Sequence, residues 1–101
     1  MKTAKKITIN GKEYEYDFST IGFKEARILE NQYELSYARI QDKICDSVNS
    51  MVAYVMKCPI EKAEAEIDAH INGGGYFEDF LVLLTDLITD SSFFHRLGRG
   101  K

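Results

Sequence analysis

The sequence predicts an α+β domain, mostly helical, in which an N-terminal β-hairpin packs on a bundle of four or five helices. Three observations carry that expectation. The stretch "KITINGKEYEYDF" alternates apolar and polar residues on both sides of Asn-Gly, the pattern of two strands joined by a tight turn. From Phe23 onward the apolar residues recur at steps of three and four, the helical period. A chain of 101 residues supports one hydrophobic core, so 1–101 reads as a single domain. Its parts are a hairpin over 5–18, a helical part over 19–97 and a flexible basic tail over 98–101.

Asn10-Gly11 suits a two-residue type I′ turn, which sets Ile9 opposite Lys12, Ile7 opposite Tyr14 and Lys6 opposite Glu15. Ile7, Ile9, Tyr14, Tyr16 and Phe18 then share one face, and Lys6, Thr8, Glu13, Glu15 and Asp17 the other. A lone hairpin is marginally stable, so the apolar face must lie on helices or on another subunit. Its two open edges invite pairing between copies, which makes a homo-oligomer an expectation.

Ser19 or Thr20 is placed to cap a first helix carrying Phe23, Ala26, Leu29 and Tyr33, with its end near Asn31. One longer helix follows on the stripe Tyr37, Ile40, Ile44, Val48, Met51, Val52 and Val55. Pro59 marks a new start, because proline fits the first helical turn, and Glu61 complements the dipole there. Ile60, Ala63, Ile67 and Ile71 carry that helix to Asn72. The next holds Phe77, Phe80, Leu81, Leu84, Leu87 and Ile88, and Phe93, Phe94 and Leu97 predict a short final turn.

Composition narrows the function classes. Apolar runs such as 80–84 are far short of the ~20 residues that span a bilayer, and no signal-peptide core follows the first lysines; a cytoplasmic protein is expected. Net charge is −3, and residues 61–90 hold eight carboxylates against Lys62 alone. Such a body repels a phosphate backbone, so nucleic acid is not an expected partner. The spacing of Cys45 and Cys58 matches no zinc or redox motif, so both read as buried free thiols.

The three glycines at 73–75 raise the question of a phosphate loop. That loop needs a preceding strand and a following lysine; here a helical pattern precedes, and Glu78 and Asp79 occupy the next helix's first turn. The glycines therefore read as a helix break. Glu66 and His70, four apart on one helix, have the spacing of two metal ligands, yet no third ligand completes a motif and a solvated pair is the plainer reading. His95 reads as a charge at a helix end, and nothing recommends Cys58 as a nucleophile. No catalytic, cofactor-binding or metal-binding residue is expected.

The aromatic residues read mostly as core, with a contact surface for another chain as the alternative and Phe93 and Phe94 as the exceptions to burial. Tyr76, Phe77, Phe80, Phe93 and Phe94 crowd the C-terminal quarter, while Val82 and Leu83 lie off the main stripe and make that helix apolar around much of its circumference. An exposed apolar patch marks a partner site. Tyr76, Phe77, Phe80, Leu83, Phe93 and Phe94 are the candidate contact residues, with Phe93 and Phe94 foremost.

The order of "ITINGKEYEYDF", "MVAYVMKCPIEKAEAEIDAHI", "NGGGYFEDFLVLLTDLI" and "SSFFHRL" resembles that of the tail assembly chaperones of long-tailed bacteriophages, especially those of Gram-positive hosts. The likeness covers nearly the whole chain and rests on the strand with NGK, the lysine-cysteine-proline turn into a helix, and the glycine break. It implies a small non-enzymatic helper in the host cytoplasm that binds the tape-measure protein, keeps its apolar helices in solution and recruits major tail protein subunits. It also implies absence from the mature virion and, often, a longer frameshifted form. The alternative is a small regulatory or adaptor domain binding a host or phage protein through the same helices; a metal-dependent enzyme using Glu66 and His70 is more remote.

Overall fold

In the computed structural model, residues 4–96 are described. The expected basic tail over 98–101 and the turn position of Leu97 lie outside them. Strands β1 (Lys5–Ile9) and β2 (Lys12–Tyr16) pair antiparallel in the expected register: Ile9 with Lys12, Ile7 with Tyr14, Lys6 with Glu15. The turn geometry explains the pairing, since Asn10 (φ +53°) and Gly11 (φ +85°) both occupy the left-handed region that a type I′ turn requires. Ile7, Ile9, Tyr16 and Phe18 are buried and Tyr14 is half-buried, while Lys6, Thr8, Glu13 and Glu15 face out. The Lys6 ammonium reaches diagonally to Glu13 at 3.9 Å.

The chain then makes a 3-10 turn over Phe18–Thr20. Its cap is Asp17, whose carboxylate accepts from the Ser19 N–H at 3.0 Å and from Ser19 Oγ at 2.6 Å. Neither Ser19 nor Thr20 caps the first α-helix: α1 (Phe23–Tyr33) starts after Gly22 with no side-chain cap, and ends two residues beyond Asn31. Glu34 in the left-handed region closes it and turns Leu35 into the core.

The single helix expected over 37–55 is two, α2 (Tyr37–Asp42) and α3 (Ile44–Met56), parted at Lys43, whose backbone leaves the helical region. Ser36 Oγ caps α2 by accepting from the Arg39 N–H at 3.3 Å. Arg39 then bridges the break to Asp46 at 3.1 Å, a carboxylate that also suits the first turn of α3. The break leaves Ile40 and Val48 inward but Tyr37 and Ile44 out at the surface.

Helix α3 is the central element, with Val48, Met51, Val52 and Ala53 fully buried, and α1, α2, α4, α5 and β2 all packed on it. Helix α4 (Ile60–Asn72) starts at Pro59 as the sequence indicates, and α5 (Glu78–Asp90) follows the glycines. The short α6 (Ser92–His95) is capped by Ser91, whose hydroxyl accepts from the Phe94 N–H at 3.2 Å and donates to the Ile21 carbonyl at 2.7 Å. One core cluster runs from Ile7 in the hairpin to Phe94 in α6. The α+β, mostly helical class therefore holds, with the split at Lys43 adding a helix. Among the described residues no helix is long and apolar enough to cross a membrane.

Candidate binding surfaces

The pair Glu66 and His70 converges on the hairpin turn. His70 Nδ1 accepts the Asn10 backbone N–H at 2.9 Å, and Glu66 Oε1 accepts from Asn10 Nδ2 at 3.1 Å. With Nδ1 serving as acceptor, the ring's hydrogen is assigned to Nε2, which lies 2.8 Å from Asp79 Oδ2. Asp79 also accepts from the Tyr76 N–H at 3.1 Å. The His70 hydrogen bond, and after it that amide, hold the Asp79 carboxyl below its ordinary range. The imidazole packs on Phe80 with ring centres 4.8 Å apart. Gly75 lies so close that a Cβ there would stand 2.4 Å from the ring. The glycine run is thus a helix break, with Gly73 closing α4 and Gly74 at φ +109°, and it doubles as the space in which His70 sits. Among the described residues no group of three His, Cys, Asp or Glu side chains is arranged to hold a metal.

The six expected contact residues divide. Tyr76 is 71% exposed and Phe77 is half-buried. Phe93 is half-buried too, its ring 5.9 Å from that of Phe23, which is itself 67% exposed. By contrast Phe80 and Leu83 are fully buried and Phe94 nearly so, which takes these three off the surface. The reason is packing on both sides of α5: α3 covers one face, the 3-10 turn and α6 another, so Leu83 points inward and Val82 and Ile88 are the residues left out. The Ser91 cap orients α6 so that Phe94 turns in while Phe93 turns out. Phe23 is an exposed aromatic residue that sequence reasoning missed, because its period matched the buried stripe of α1.

Among the grooves formed by the described residues, two lie along α3. One, of about 550 Å³, runs between β2, the 3-10 turn, α1 and α3, and includes Glu15, Glu25, Tyr33 and Tyr54 in its walls. Tyr54 Oη donates to Glu25 at 2.9 Å and meets Tyr33 edge-on at 5.6 Å. Burial, then the Glu25 hydrogen bond, push the Tyr54 phenol well above its ordinary value, so it stays protonated. The other groove, of about 250 Å³, lies between α3 and α4 beside Phe77 and includes Cys45, Glu64, Ile67, Asp68 and Ile71.

The cysteines differ from the buried pair expected. Cys45 is exposed and Cys58 half-buried; Cys45 shares the helical face of the core-facing Val48 and Val52 but lies in the first turn of α3, where it stays exposed. Burial raises the Cys58 thiol, which leaves it without the thiolate that a nucleophile needs at neutral pH. His95 sits exposed in the last turn of α6. Comparison with protein-family profiles, curated proteins and solved structures finds no match in any of the three.

Proposed function

We propose that this chain is a protein-binding assembly helper of the tail assembly chaperone kind, acting on the tape-measure protein and the major tail protein during tail assembly in the host cytoplasm. The observation that carries the reading is the set of large apolar side chains left open, Phe23, Ile44, Ile71 and Val82 on helices and Tyr76 in the loop before α5, around a core that is already filled. A protein that shields apolar helices of a client uses such exposed apolar side chains. The grooves add carboxylate rims, which keep the free helper in solution and set the charge of what it binds.

Coexpression with the tape-measure protein encoded nearby tests the reading. The expected result is that the tape-measure protein becomes soluble and copurifies. A tape-measure protein that stays insoluble, or is soluble without this chain, overturns it. The adaptor alternative is favoured instead if the neighbouring genes encode neither a tail-tube subunit nor a long helical tape-measure protein.

A further inference from the structure

Resting on that reading, we propose that the groove between α3 and α4 receives a single amphipathic helix of the partner, one whose apolar stripe is flanked by lysine or arginine. The floor of the groove is Ile67, Ile71 and Phe77, with the exposed Cys45 on the α3 side. Its two walls are helices packed side by side, the setting in which a third helix lays its apolar face between two others. At about 250 Å³ it is smaller than the roughly 300–1,000 Å³ of pockets that enclose a small-molecule ligand. It does fit side chains projecting from a helix.

Charge selects among helices. Glu64 and Asp68 stand four apart on α4, both exposed, like-signed and on the rim; neighbours of one sign at that spacing repel. Among the described residues neither meets a cation at ion-pairing distance, whereas Asp46 on the opposite rim is paired with Arg39 at 3.1 Å. Among the described residues no lysine or arginine lines the groove. A basic flank relieves the repulsion and gains two ion pairs; an acidic helix compounds it. A second copy of this chain offering α4 or α5 is disfavoured on the same ground, because residues 61–90 hold eight carboxylates against Lys62 alone.

The test uses the full chain and two synthetic helical peptides roughly 18 residues long, five turns. Both carry leucine along one stripe; one has lysine on the flanks, the other glutamate. The lysine peptide is expected to bind, to move the amide resonances of Ile67, Ile71 and Phe77, and to bind at least about tenfold tighter than its glutamate twin. Ile71→Ser weakens it by a similar factor, and Phe23→Ser, on another face, does not. The double reversal Glu64→Lys with Asp68→Lys, at exposed positions where folding is not at stake, inverts the preference between the two peptides. Equal affinity for both peptides, resonance changes that map elsewhere, or a preference unmoved by the reversal overturns the proposal. A tape-measure protein that still copurifies with Ile71→Ser and with the reversal overturns the groove and spares the chaperone reading. A groove that takes the lysine peptide while the tape-measure protein fails to copurify does the opposite.

Discussion

His70 uses both ring nitrogens and one ring face to join three parts of the chain: the hairpin turn at Asn10, the first turn of α5 at Asp79, and Phe80 in the core. Gly75→Ala inserts a methyl group 2.4 Å from that ring. The imidazole must swing away and lose both bonds, so a cost of about 1–3 kcal/mol is expected in urea unfolding. Asp79 supplies a pH dependence of known sign. Its folded carboxyl lies below the ordinary value of 3.8, so the unfolded chain binds the proton first; the stability it contributes is complete above that value and is lost as pH falls through the lowered one. Asp79→Asn should therefore flatten the acid limb of the stability profile below about pH 4. An acid limb as steep as before would show that other carboxylates set it. Phe93 and Phe94 separate cleanly as well. Phe94→Asp buries an unpaired carboxylate and should cost about 3–5 kcal/mol, whereas Phe93→Asp should leave the melting temperature close to that of the parent and reduce client binding.

At the scale of elements, the hairpin is held to α5 by a polar network laid over its apolar face. Asp86, nearly buried, accepts from Tyr16 Oη at 2.6 Å and from Lys5 Nζ at 3.1 Å, and Lys5 also reaches Asp90 at 2.9 Å. A buried carboxylate is tolerated only while its partners stay, so Tyr16→Phe should destabilise by about 1–3 kcal/mol. Hydrogen bonds to Asp90 and Asp86 raise Lys5, and burial followed by the Asp86 hydrogen bond raises Tyr16. Groups raised on folding contribute fully below their unfolded values and lose that contribution as pH climbs through the folded ones. Stability should hence fall from about pH 10 upward, less steeply in Tyr16→Phe, as followed by thermal melts across that range. The turn itself is a conformational requirement: a Cβ at Gly11 would meet nothing within 4 Å, yet φ is +85°. Gly11→Ala should cost about 1 kcal/mol through backbone strain alone.

Across the whole molecule, α3 is enclosed on nearly every side while α4 buries only Ala63 fully and α1 only Ala26 and Leu29. Apolar surface is therefore left on the outer helices, at Phe23 and Ile71, and at Tyr76 in the loop before α5, instead of being spread evenly. The hairpin register, the helix start after Pro59 and the break at 73–75 were determined by the sequence itself, because each is a local matter of two-residue alternation, a locked φ angle or an unhindered one. Tertiary structure alone decided that Leu83 and Phe94 are core while Phe23 and Val82 are surface, that Glu66 and His70 meet Asn10, and that the stripe from Tyr37 to Val55 is cut at Lys43. The physical reason is that periodicity fixes which residues share a face of a helix, whereas what covers that face depends on elements distant in the chain. Asn10 and His70, sixty positions apart, meet only because the hairpin and α4 pack against the same core.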